Sequence, residues 1–156
     1  MMVHRRSGRV ILLAAAILLI AGLIFSVRGS GSERGRVIIG GASVSVEIER
    51  TRTDRERGLS GRAELAPDQG MLFVFPEAGS QTFWMKDMRF PIDIIWLRRN
   101  EIVFIAPDVP PPAPGEAPAT RTPTREADAV LEVPAGFAAA HGLKPGMSVE
   151  MALDGR

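Results

Sequence analysis

No cysteine occurs among the 156 residues, which removes disulfides, thiolate metal sites, a cysteine nucleophile and a lipid-modified cysteine behind an export signal. Histidine is almost as scarce: only His4 and His141 exist, and neither stands at zinc-site spacing. A Ser-His pair would rest on His141 alone, and Gly58-Leu59-Ser60-Gly61-Arg62 misses the G-x-S-x-G turn because Arg62 replaces the last glycine. There is no glycine-rich phosphate loop, no basic patch interleaved with aromatics, and no internal repeat. No metal and no cofactor is therefore expected.

Charge of one sign is missing where nucleic acid would need it. Residues 1–36 hold six Arg against one Glu, whereas residues 37–156 hold thirteen Lys or Arg against seventeen Asp or Glu. The small positive total thus belongs to the N-terminal quarter of the chain, beside the apolar run, the remainder is mildly acidic, and nucleic acid is set aside as a partner.

What is present first is an apolar run. Val10 to Val27 reads VILLAAAILLIAGLIFSV, eighteen residues broken only by Gly22 and Ser26. As a helix it would extend about 27 Å, close to the roughly 30 Å hydrocarbon thickness of a bilayer. Arg5, Arg6 and Arg9 precede it, and the cytoplasmic bias of cationic residues puts the N-terminus inside and the rest outside, although Arg28, Arg34 and Arg36 weaken the asymmetry. A cleavable signal peptide is the main competitor; the run is longer than such an apolar region and no A-x-A site follows. Arg5-Arg6 hints at twin-arginine export, with Gly8 and Arg9 where apolar residues belong. The expectation is a basic cytoplasmic leader (1–9), a membrane anchor or signal (10–27), a linker (28–36) and one domain (37–156). The protein would then be single-pass in the inner (cytoplasmic) membrane with its domain outside, or secreted after cleavage. The membrane is met through residues 10–27.

Within the domain, Ala42, Val44, Val46 and Ile48 alternate with Ser43, Ser45, Glu47 and Glu49, the period of a half-buried strand. Thr53 and Glu56 have capping-box spacing, and Gly58 can end the short helix they start. Gly70 to Pro76, GMLFVFP, reads as a buried strand between Gly and Pro. Further strands are expected over 82–85, 92–97 and 101–106, the last two joined as a hairpin through Arg98 to Asn100. Pro107 to Thr124 carries seven prolines in eighteen residues and is expected as an extended loop. A strand over 127–133, a short helix over 134–141 with Pro134 in its first turn and Gly142 as cap, a Lys144–Met147 turn and a strand over 148–153 complete the domain. The pattern predicts a mainly β fold, a compact single-domain sandwich or barrel with one or two short helices, preceded by an N-terminal transmembrane helix.

The strings ERGLSGR (Glu56 to Arg62), GMLFVFP, TFWMKDMRFPIDIIWL (Thr82 to Leu97) and VLEVPAG (Val130 to Gly136) resemble the uncharacterised family called domain of unknown function 192. Their order and spacing match over nearly all of residues 42–153, and FWMK followed by FPIDII is a specific combination. The resemblance implies a compact, mostly β domain often found behind an export signal, and no established activity. The sequence departs from the family at Ser60, where Met is usual, at Asp87-Met88, where Asn-Thr is usual, and at Met147, where Asp often follows Gly. Its proline-rich loop is also longer than expected.

Several residues could carry chemistry. Asp93 interrupts an apolar strand on the face shared by Ile95 and Leu97, and Glu132 sits in the apolar string VLEVP. Carboxylates in such places must be paired or hydrogen-bonded. They could form an acid and base of an envelope hydrolase, or accept bonds from Arg62 or loop amides and fix the strand order, the reading favoured. Trp84 and Met85 must point to opposite faces of a regular strand, with Lys86 beside them. Trp84 could be a sugar platform, with core packing favoured. Met85, Met88, Met147 and Met151 could form a thioether Cu(I) site, with core filling favoured. The leading expectation is a noncatalytic binding or accessory module of the cell envelope, meeting an unknown envelope ligand or protein. Arg62, Trp84, Lys86, Asp87, Asp93 and Glu132 are the candidate ligand contacts.

Overall fold

The computed structural model describes residues 33–153. The basic leader, the apolar run 10–27 and residues 28–32 lie outside the described residues. Among the described residues no helix is long and apolar enough to cross a membrane.

The expected linker gives way to a strand at Glu33. β1 (Glu33–Ile39) turns through Gly40-Gly41 into β2 (Ala42–Glu49), pairing from Glu33↔Ile48 to Ile39↔Ala42. Glu33 to Arg36 is therefore not a tether. Its charged side chains belong to a strand, with Arg34 and Arg36 exposed, Gly35 half-buried between them and Val37 and Ile39 in the core. Gly35 is required there: a Cβ would stand 2.9 Å from the Ala152 carbonyl of the next strand.

The rest follows the sequence closely. Helix α1 (Arg52–Arg57) is capped by Thr51, whose hydroxyl accepts the Asp54 amide at 3.1 Å, two residues ahead of the expected Thr53 box; Gly58 ends it at φ 48°. β3 (Gln69–Gly79), β4 (Phe83–Trp84), β5 (Ile92–Arg98) and β6 (Glu101–Val109) succeed it. Arg99 and Asn100 both take positive φ in the β5–β6 turn, as a tight primed hairpin turn demands. The proline-rich stretch is not one loop. Pro107 lies exposed in β6, where a missing amide is tolerated on an edge strand, and β7 (Thr120–Arg121) forms inside the stretch. β8 (Ala127–Pro134) absorbs Pro134, so α2 (Phe137–Ala140) starts later than expected, at Gly136. β9 (Val149–Leu153) ends the described chain.

Seven strands form one sheet in the order β6-β5-β8-β3-β2-β1-β9, with β2 and β3 parallel and every other pair antiparallel. The sheet curls into a half-barrel until its two edges meet at one end. There the Ile102 amide donates to Met147 at 2.9 Å, Gly146 to the Ile102 carbonyl at 2.8 Å, and Val149 to Asn100 at 2.8 Å. Both faces are covered. The concave face holds Val44, Val46, Ile48, Leu72, Ile95, Leu97, Leu131 and Phe137. The convex face holds Met71, Phe73, Ile94, Trp96 and Val130 beneath Leu59, Met85 and Met88 from the connections. Each such side chain contributes about 1.5–3 kcal/mol when fully buried. The mainly β barrel-like expectation with two short helices is met.

Candidate functional site

The two-stranded ribbon β4–β7 pairs Phe83 with Arg121 and Trp84 with Thr120. Side chains alternate across it. Phe83 turns inward, 4.8 Å edge-on from Phe73 and 6.0 Å from Trp96, so Trp84 must turn outward and is 48% exposed. Core packing, favoured for Trp84 from sequence, is taken instead by its neighbour Met85, which is fully buried.

Trp84 lies on a groove of about 620 Å³ whose other walls are Arg52, Arg55 and Glu56 of α1, Phe75 of β3, and Gln81, Thr82, Phe83, Lys86 and Thr120. The Lys86 ammonium stands 5.2 Å from the Trp84 ring centre, and the Arg55 guanidinium 4.8 Å from that of Phe75, both within cation–π range. Arg55 also donates to the carbonyls of Arg50 and Val74, which fixes it in place. Arg52 pairs with Glu56 at 2.8 Å. The α1 and Phe75 walls were not singled out in the sequence: they come from elements distant in the chain, and only the fold brings them to Trp84.

The other candidates do not join them. Arg62 makes two bonds of 2.7 Å to the Glu47 carboxylate, which they hold below the usual carboxylate range; the same pairing raises Arg62. Asp87 sits in an exposed turn at φ 55°, a conformation that Asp and Asn tolerate better than most residues. Its carbonyl accepts the Gly61 amide at 2.9 Å while the Ser60 hydroxyl donates to the Lys86 carbonyl at 2.8 Å. The ERGLSGR and FWMKDM strings are thereby fastened to one another, and Ser60 is a strut; the one histidine among the described residues, His141, packs on Phe137, 4.5 Å between ring centres.

Asp93 and Glu132 stand on opposite faces of the sheet. β5 and β8 pair Asp93 with Val133 and Ile94 with Glu132, so Asp93 shares the concave face and Glu132 the convex one. The hydrolase arrangement, which needs both carboxyls in one cleft, is excluded by that register. Asp93, wholly buried, accepts amides from Asp108 at 2.8 Å, Gly136 at 3.1 Å and Ala138 at 2.7 Å. Its partners are neither Arg62 nor loop amides but backbone amides at the end of β6 and the start of α2. Glu132 is 5% exposed, flanked in register by Met71 and Ile94, and its carboxyl makes no hydrogen bond to another described residue. Burial alone pushes its carboxyl up to about 8. Glu49, expected on a solvent face, is also buried and raised, by burial first and then by Asp54.

The thioethers separate in the same way. Met85 and Met88 pack in the convex cluster, Met147 and Met151 against the concave one, so the four cannot share a copper ion. Among the described residues no three His, Asp or Glu side chains gather as a metal site.

The sequence profile of domain of unknown function 192 (DUF192, Uncharacterized ACR) matches residues 36–151. The chain belongs to the DUF192 family. Two crystal structures resemble this DUF192 domain. One is of a protein of unknown function from Novosphingobium aromaticivorans DSM 12444, 32% identical, covering 79% of this chain and 89% of that one with a TM-score of 0.69. The other, from Sinorhizobium meliloti 1021, is described as a "putative transcription regulator (R01717)"; it is 31% identical and covers 77% of this chain and 93% of that one with a TM-score of 0.66. No functionally curated protein matches the DUF192 chain.

Proposed function

We propose that this DUF192 chain is a noncatalytic binding or accessory module of the cell envelope, held outside the cytoplasmic membrane by residues 10–27 and meeting its ligand in the groove beside Trp84. The observation that carries the reading is the half-exposed indole placed at the mouth of a groove with cations on its walls. Concave sites with an aromatic wall and a few placed polar groups are where small ligands bind. The separated carboxyls favour binding over hydrolysis. The apolar run and its preceding arginines support the membrane placement.

Glycan and peptide arrays probed with the wild-type chain, Trp84→Ala and Lys86→Ala test the groove. Both side chains are exposed, so both variants are expected to fold, which thermal unfolding verifies. Ligands held by the wild type are expected to lose roughly tenfold or more in affinity in each variant. Identical array profiles in folded variants would sink the assignment of this surface.

A further inference from the structure

We infer that the ligand of this groove is an acidic saccharide, a sugar ring carrying a carboxylate; the inference rests on the binding-module reading above. The groove offers donors and almost no free acceptor charge. Lys86 has no carboxylate partner among the described residues, and the Trp84 indole N–H makes no hydrogen bond to another described residue, unlike that of Trp96, which donates to the Gln81 carbonyl at 2.7 Å. Arg55 adds positive charge, and the one carboxylate on the walls, Glu56, is already neutralised by its pairing with Arg52. Charge complementarity therefore calls for an anion with several acceptor oxygens.

The indole narrows the class. An inorganic anion would use the cations and leave Trp84 without a contact, whereas a pyranose presents an apolar C–H face to an aromatic ring and acceptor oxygens around its rim. A carboxylate on that ring meets Lys86, whose ammonium already stands against the same indole. A peptide read through its backbone needs a strand edge long enough to pair with, and the ribbon strands that wall the groove are only two residues long. The groove volume of about 620 Å³ suits a short oligosaccharide.

Calorimetric titration of the full chain with trigalacturonate, neutral galactotriose and triglutamate decides the matter. Trigalacturonate is expected to bind the wild type about tenfold more tightly than either other probe. It should lose about tenfold in Lys86→Gln, the scale of one charge-assisted hydrogen bond, and weaken as salt is raised. Galactotriose binding should be unchanged in Lys86→Gln and reduced in Trp84→Ala. Equal affinity for the acidic and neutral sugars, or triglutamate binding as tightly as trigalacturonate, would overturn the acidic-saccharide inference. In either case sensitivity to Trp84→Ala would leave the binding-module reading standing. Failure of trigalacturonate to bind, or its indifference to Lys86→Gln, would also overturn the inference.

Discussion

Three carboxylates in this domain meet burial in three ways, set by the partner each finds. Asp93 is surrounded by amide donors, Glu47 is clasped by Arg62, and Glu132 has only apolar neighbours in register. The Glu47 pair is partly exposed, which limits its worth to about 1 kcal/mol. Glu132 carries a larger consequence because its proton is held up to about 8, against 4.5 for an unhindered carboxyl. Between those two values the folded chain keeps a proton that the unfolded chain has lost, so stability falls as pH rises from about 4.5 and levels off above about 8. Glu132→Gln removes the ionisable group. Its stability advantage over the wild type is expected to grow by a few kcal/mol between pH 5 and pH 9, read from urea midpoints at each pH. A pH-independent difference would show that Glu132 is ionised in the native state.

Strands and helices here are joined by side chains as well as by ladders. Asp93 on β5 holds the start of α2 through Gly136 and Ala138 and the end of β6 through Asp108, which itself sits at φ 47°. Asp93→Ala would orphan three amides, each worth about 1–3 kcal/mol when buried unbonded, so a loss of roughly 3–5 kcal/mol is expected in denaturant titration. A loss below about 1 kcal/mol would mean that water replaces the carboxylate. Much of this level of structure was legible in the sequence: alternation placed Asp93 on the face of Ile95 and Leu97, and the apolar runs marked β3, β5, β6 and β8. β1 was not, because ERGR carries charge at three of its four positions and a glycine at the other, and the three apolar residues that follow, Val37, Ile38 and Ile39, show no alternation. The face of Glu132 relative to Asp93 depends on the β5–β8 register, which no single strand encodes. The groove was legible only at Trp84 and Lys86; Arg52, Arg55 and Phe75 reach it through the β2–α1–β3 crossover and the ribbon.

The domain as assembled presents its groove through connections laid over a sheet that is covered on both faces, so binding does not compete with the concave core for its residues. The proposed placement outside the membrane has a direct reading: alkaline phosphatase fused behind Arg156 is expected to be active and a green fluorescent protein fusion dark. The opposite pair of results would put the domain in the cytosol. Such a fusion is favoured by the way β9 lies against β1, pairing Leu153 with Gly35, so that the chain leaves the sheet beside the point where it enters. Neighbouring entry and exit make the unit portable. Spliced into a surface loop of a host protein, it would occupy a gap of about one strand spacing and keep its hydrogen-bonded seam intact.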